Sequence, residues 1–151
     1  MSSDNRLSRM LHVLIHMDQR EHPLTSDEIA RMLNTNPVVV RRTMAGLRDN
    51  GYVTSEKGHG GGWKLARPLD QLTLLDVYVA LGNPPVFALG LADDDPRCLV
   101  EQAVNDGLNE ALGKARQLLL DRFGKVTLAD LAADFRKRFE AHQKRPAKRA
   151  S

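Results

Sequence analysis

The side chains with the most chemistry to offer in this sequence are cations grouped around one helix start and one glycine run. Val38, Val39, Arg41 and Arg42 fall in the first turns of a segment whose Val40, Met44 and Leu47 mark a buried stripe. A guanidinium presents paired donors that fit the O6 and N7 edge of guanine, and valine offers apolar surface to a thymine methyl. Asn36 stands where it can cap this helix, with Pro37 at the first helical position, where its missing N–H costs nothing. Further on, Lys57, His59, Gly60 and Lys64 surround the run Gly58-His59-Gly60-Gly61-Gly62. Glycines let a backbone approach a phosphate closely, and the cations supply charge. Asn36, Val38, Val39, Arg41 and Arg42 are the candidate base-reading set, and Lys57, His59, Gly60 and Lys64 the candidate backbone-contacting set. Double-stranded DNA is the partner they imply.

Other reactive residues stand more alone. Cys98 is the one cysteine, so it forms no internal disulfide and supplies no four-thiolate metal site. At a helix start it is a candidate thiol sensor; its bland alternative is a small packing residue. His12 and His16 have the i, i+4 spacing of a helical zinc pair, but neither a Glu-x-x-His motif nor a nearby cysteine supports them, so no metal site is expected. Asp93-Asp94-Asp95 reads as a solvated loop. Trp63 reads as an anchor that holds a small hairpin to the core. No glycine-rich phosphate loop, nucleophile elbow or catalytically spaced carboxylate or histidine set is present, so an enzyme is not expected.

Charge divides along the 151 residues. Residues 1–67 carry a net +3, residues 68–140 a net −4, and residues 141–151 four Lys/Arg with no acid. That split suits a nucleic-acid-facing head, an acidic body and a basic tail. No apolar run approaches the roughly 18 residues of a membrane span, and the first residues lack the layout of a signal peptide, so a cytoplasmic protein without a membrane partner is expected.

The elements that must hold these residues follow from periodicity. Leu7, Met10, Leu11, Leu14 and Ile15 give one helix face; Thr25 and Glu28 have capping-box spacing before a second, short helix; Asn36 opens the third, and Asn50-Gly51 closes it. The period then changes to a strand over 52–56, a turn, and a return strand over 63–65. Three short helices followed by a glycine-tipped hairpin is the winged helix-turn-helix order. The spacing predicts a further helix over 73–81, a mobile loop over 82–97, and a long helix over about 98–123. Val100, Val104, Leu108, Ala111, Ala115 and Leu118 step along that helix by four and three, a seam suited to a second copy of the chain. Thr127 and Asp130 begin a last helix. The fold class expected is mainly α with a small β-hairpin wing. Its division is a DNA-binding head over 1–81, the loop, dimerisation helices over 98–140, and a disordered basic tail over 141–151.

These residues resemble the Rrf2 family of regulators. The resemblance rests on Leu47-Arg48-Asp49-Asn50-Gly51-Tyr52-Val53, on Gly58-His59-Gly60-Gly61-Gly62-Trp63-Lys64-Leu65-Ala66-Arg67-Pro68, on Leu72-Thr73-Leu74-Leu75-Asp76-Val77 and on Val126-Thr127-Leu128-Ala129-Asp130-Leu131. It implies a homodimer that crosses its long helices and sets two heads on a palindromic operator, commonly as a repressor answering a redox or small-ligand signal. It places base reading on Val38, Val39, Arg41 and Arg42, and wing contacts on Lys57 and His59. Many members have tyrosine-leucine-glutamate-glutamine where this chain has Val39-Val40-Arg41-Arg42, so a different operator is expected. Iron-sulfur members carry three spaced cysteines where this chain has Cys98 alone, so the likeness is to the cluster-free, YwnA-like and CymR-like branch, and no cofactor is expected. The alternative function is a winged-helix module that binds a protein rather than DNA.

Overall fold

In a computed structural model, residues 4–145 are described. Three helices open the fold: α1 (Arg6–Asp18), α2 (Ser26–Leu33) and α3 (Pro37–Asp49). A hairpin of β1 (Val53–Glu56) and β2 (Gly62–Leu65) follows, then a 3-10 turn at Leu69–Gln71, α4 (Leu74–Ala80), α5 (Leu99–Phe123) and α6 (Leu128–Lys144). This is the expected winged helix-turn-helix order with its long helix.

Local chemistry fixes the helix ends. The Thr25 hydroxyl accepts from the Glu28 N–H at 3.1 Å, and the Thr25 N–H donates to the Glu28 carboxylate at 2.8 Å, which closes the capping box of α2. Asn34 ends α2 in the left-handed conformation, φ 52°. Two residues later the Asn36 Oδ1 accepts from the Val39 N–H at 3.1 Å and starts α3. Thr73 with Asp76 and Thr127 with Asp130 make the same box at α4 and α6. The turn between α2 and α3 is therefore short and pinned on both sides.

One core joins these helices. Met10, Val13 and Leu14 of α1 meet Ile29 of α2, Val40, Met44 and Leu47 of α3, and Val77 of α4. Each buried aliphatic side chain of this size contributes about 1.5–3 kcal/mol. Gly46 lets α3 approach α4, since a Cβ there would lie 2.7 Å from the Ala80 carbonyl oxygen. The hairpin is antiparallel with Ser55 opposite Trp63 and Val53 opposite Leu65. Leu24 adds a third, one-residue strand: the Trp63 N–H donates to the Leu24 carbonyl at 2.8 Å, and the Leu24 N–H to the Trp63 carbonyl at 3.1 Å. Nothing in the sequence pattern marks that bridge.

The last two helices part company. Within the 98–140 segment of expected dimerisation helices, α6 packs by its first turns into the head. Leu128 and Ala132 belong to the common core, the Leu128 N–H donates to Leu72 at 2.8 Å, and the Leu74 N–H donates to Val126 at 3.0 Å. Helix α5 touches the head through its C-terminal end, where Leu120 is buried and Phe123 meets Tyr78 edge-on at 6.1 Å. Residues 82–97 hold no helix or strand. Helix α6 runs to Lys144, four residues into the segment expected as tail; residues 146–151 lie outside the described ones.

Candidate nucleic-acid interface

Helix α3 has the anatomy of a helix that can lie in a groove. Its stripe Val40, Met44 and Leu47 is fully buried. At 100° per residue, Val38, Arg42, Ala45 and Asp49 fall opposite that stripe. Arg41 and Arg48 lie on one flank, and Val39, Thr43 and Gly46 on the other. Val38 is 61% exposed and both arginines of the pair are exposed.

The flank that carries Arg41 and Arg48 faces the wing. Between them lies an open groove of about 440 Å³ whose walls include Arg41, Ala45, Arg48, Ser55, Lys57 and Trp63. Glu56 also lines it, so three cations face one carboxylate there. The floor is rigid: Trp63 is buried, its indole N–H donates to the Ser26 hydroxyl at 3.0 Å, and the Arg48 guanidinium sits 6.0 Å over its ring. Trp63 thus anchors the wing, as expected, and also holds Arg48 beside Arg41.

The expected residues are only partly brought together. Arg41 and Lys57 share the groove, while Val38 and Arg42 stand on the free face beside it. Val39 does not join them: it lines a separate crevice with Arg9, Leu33 and Thr43 on the α1 side. Lys64 is on the wing face opposite Trp63, because strand residues alternate, and its ammonium lies 3.7 Å from the Glu56 carboxylate. The side-chain oxygen of Asn36 is used in capping. His59 and Gly60 are exposed at the hairpin tip. Gly58 (φ 93°) and Gly60 (φ 78°) face open space, so their freedom serves the tip. Gly61 and Gly62 serve the fold: a Cβ would lie 2.3 Å from the Glu56 oxygen and 2.5 Å from the Leu24 oxygen, respectively. Arg48, Ser55 and Ser26 were missing from the expected set. Arg48 follows Arg41 by seven residues, two helical turns, and that phase already puts it off the buried stripe, although it is not among the base-reading residues named from sequence; no sequence signal points to the two serines.

Away from the head, the seam of α5 is bare. Val100, Val104, Leu108, Ala111, Ala115 and Leu118 are all exposed, Val100 by 72% and Leu118 by 74%. Leu112 and Leu119 on the inner side are half-buried. Cys98 occupies the N-cap position of α5 and is half-buried. At the opposite, C-terminal end of α5 a cavity of about 180 Å³ opens between Leu7 of α1, Tyr78 of α4, Pro84 and Val86 of the loop, and Leu119 and Phe123 of α5. The Tyr78 hydroxyl donates to the Pro84 carbonyl and pins the loop there. No helix among the described residues is long and apolar enough to cross a membrane.

Comparisons with known proteins agree with this architecture. The profile of the Rrf2 family, described as iron-dependent transcriptional regulators, matches residues 3–134. YwnA of Bacillus subtilis strain 168, named as an HTH-type transcriptional regulator, is 29% identical over 130 residues, which are 85% of this chain and 95% of YwnA. A regulator structure from Lactobacillus plantarum superposes with a TM-score of 0.72 at 24% identity, covering 93% of this chain and 97% of the other. CymR, the global cysteine regulator of B. subtilis, gives 0.60 at 24% identity over 88% and 98%. At these identities the two structures speak for the fold alone. The family profile covers most of the length and takes in the head, the wing and the long helix, so the chain belongs to the Rrf2 family of transcriptional regulators.

Proposed function

We propose that this protein is a sequence-specific DNA-binding repressor that acts as a homodimer on a palindromic operator and answers a redox or small-ligand signal. The observation that carries the reading is the groove between α3 and the wing, where Arg41, Arg48 and Lys57 converge beside the free face of Val38 and Arg42. In this reading α3 enters the major groove, Arg41 and Arg42 read base edges, and Lys57 and His59 meet the sugar-phosphate backbone. The exposed seam of α5 supports the dimer, since an apolar stripe of that length on a protein of this charge needs a cover.

Iron, which the family description names, would have to be held by the chain's own donors, and these do not fit an iron-sulfur cluster. A [2Fe–2S] centre takes four ligands, mostly thiolates, against one cysteine in the whole sequence. Among the described residues no three His, Cys, Asp or Glu side chains gather at one point. The signal therefore acts elsewhere in this reading: on the Cys98 thiol or in the cavity beside Tyr78. A response that survives Cys98→Ser assigns it to the cavity.

The reading is tested by mobility shift on operator fragments selected from genomic DNA. Binding should weaken steeply with salt as phosphate contacts release counterions. Arg41→Ala should relax preference at one base position by about 1–3 kcal/mol. Equal loss on every sequence would demote Arg41 to a backbone contact. No salt-sensitive shift with any fragment would favour the protein-binding module instead.

A further inference from the structure

We propose that His12 and His16 of α1 form a binding site for one divalent copper or nickel ion. The two side chains are one helical turn apart, and their Nε2 atoms lie 2.9 Å apart, joined by a hydrogen bond in which one imidazole donates to the other. The rings are tilted by 51° with centroids 4.7 Å apart, so they do not stack face to face, and a metal ion would take the place of the shared proton. From sequence the pair read as packing, because no other metal-binding residue stands near it; the convergence of the nitrogens is the added observation.

The spacing selects the ion. Metal–imidazole bonds are about 2.0–2.1 Å long. Two such bonds at a right angle put the nitrogens about 2.9 Å apart, and at the tetrahedral angle about 3.3–3.4 Å. The hydrogen-bonded separation already equals that of the cis positions of a tetragonal ion, so Cu²⁺ or Ni²⁺ can replace the shared proton with the rings in place, whereas tetrahedral zinc needs them to part by about 0.4–0.5 Å. Room is present as well. A cavity of about 190 Å³ fronts the pair, walled by Ile15 and by Phe135 of α6, with Gln19 at its edge. A water takes about 30 Å³ of liquid volume, so the ion and the waters that complete its shell can be held. Arg20 lies one turn beyond His16 and opposes a cation, which further favours copper, the strongest imidazole binder of the divalent first-row series. The site is independent of the groove at α3 and does not rest on the DNA-binding reading.

The test uses the metal-free full-length protein, titrated with Cu²⁺ and with Ni²⁺ by calorimetry, and frozen with one equivalent of Cu²⁺ for electron paramagnetic resonance. Expected are saturation at one ion per chain and a tetragonal spectrum split by two nitrogens. His12→Ala and His16→Ala should each weaken binding by more than the roughly 10–100-fold that loss of a ligand's hydrogen-bonding partner costs. His22→Ala and His59→Ala should bind as the parent does. Circular dichroism of the metal-free variants should match the parent, since His12 is exposed and His16 only half-buried. No saturable binding, or binding unchanged in both α1 variants, overturns the site; a spectrum with a single nitrogen does so too.

Discussion

Replacing Gly62 by alanine should damage this protein more than replacing Gly60, although the two lie in the same glycine run. Gly62 has φ 149° and its missing Cβ would sit 2.5 Å from the Leu24 carbonyl oxygen and 2.7 Å from its carbon. Backbone in that region costs a non-glycine residue about 1–3 kcal/mol. The clash leaves two escapes. The neighbours can be overpacked, at about 1–3 kcal/mol. Otherwise β2 moves off Leu24 and loses the hydrogen bonds at 2.8 and 3.1 Å, each worth about 0.5–1.5 kcal/mol. Either route brings the total to about 2–6 kcal/mol. Gly60 has φ 78° and nothing within 4 Å of its Cβ position, so Gly60→Ala should cost only about 1–2 kcal/mol for the left-handed backbone. Urea unfolding at one protomer concentration, with unchanged m, measures both. Salt titration of operator binding should then show a shallower slope for Gly62→Ala, because a wing freed from Leu24 no longer holds Lys57 against a phosphate. Equal destabilisation by the two variants would refute the claim that Gly62 is glycine for the sake of the Leu24 bridge.

Two further outcomes follow from the same reasoning. Leu108→Asp places a charge in the middle of the exposed α5 seam, and should yield a monomer in sedimentation equilibrium with unchanged helical circular dichroism; a dimer that persists would move the interface off this seam. The Glu28 carboxyl is held below its ordinary value, chiefly by the Thr25 N–H that it accepts. Its folded pKa is depressed, so its contribution to stability is present above the unfolded value of 4.5 and is lost as pH falls through the folded one. Acid unfolding of Glu28→Gln should lack that component, and an acid limb identical to the parent's would show that the capping box adds nothing measurable.

What was legible in the sequence, and what was not, divides by the range of the cause. Helix starts were legible because a cap is a contact between residues three apart: Thr25, Asn36, Thr73 and Thr127 each accept from the N–H three residues on. The buried stripe of α3 was legible for the same reason. Side-chain direction at the site was harder. Val39 stands one residue from Val38 and was grouped with it, yet 100° of helix rotation turns it toward Arg9 and away from the groove. Lys64 was grouped with Lys57 by charge, although the pairing of Ser55 with Trp63 fixes Lys64 on the opposite face of the hairpin. The α6 start joins the head because residues 126–128 bond to residues 72–74, an association between distant segments that no periodicity encodes. The glycine run brings both ranges together. Its composition announces a tight, exposed tip, and Gly58 and Gly60 fill that role. Composition cannot say that Gly62 is there because Leu24, thirty-eight residues earlier, pairs alongside it. In the proposed reading the wing is aimed at DNA by a strand bridge along its edge, and its cations are useful only while that bridge holds.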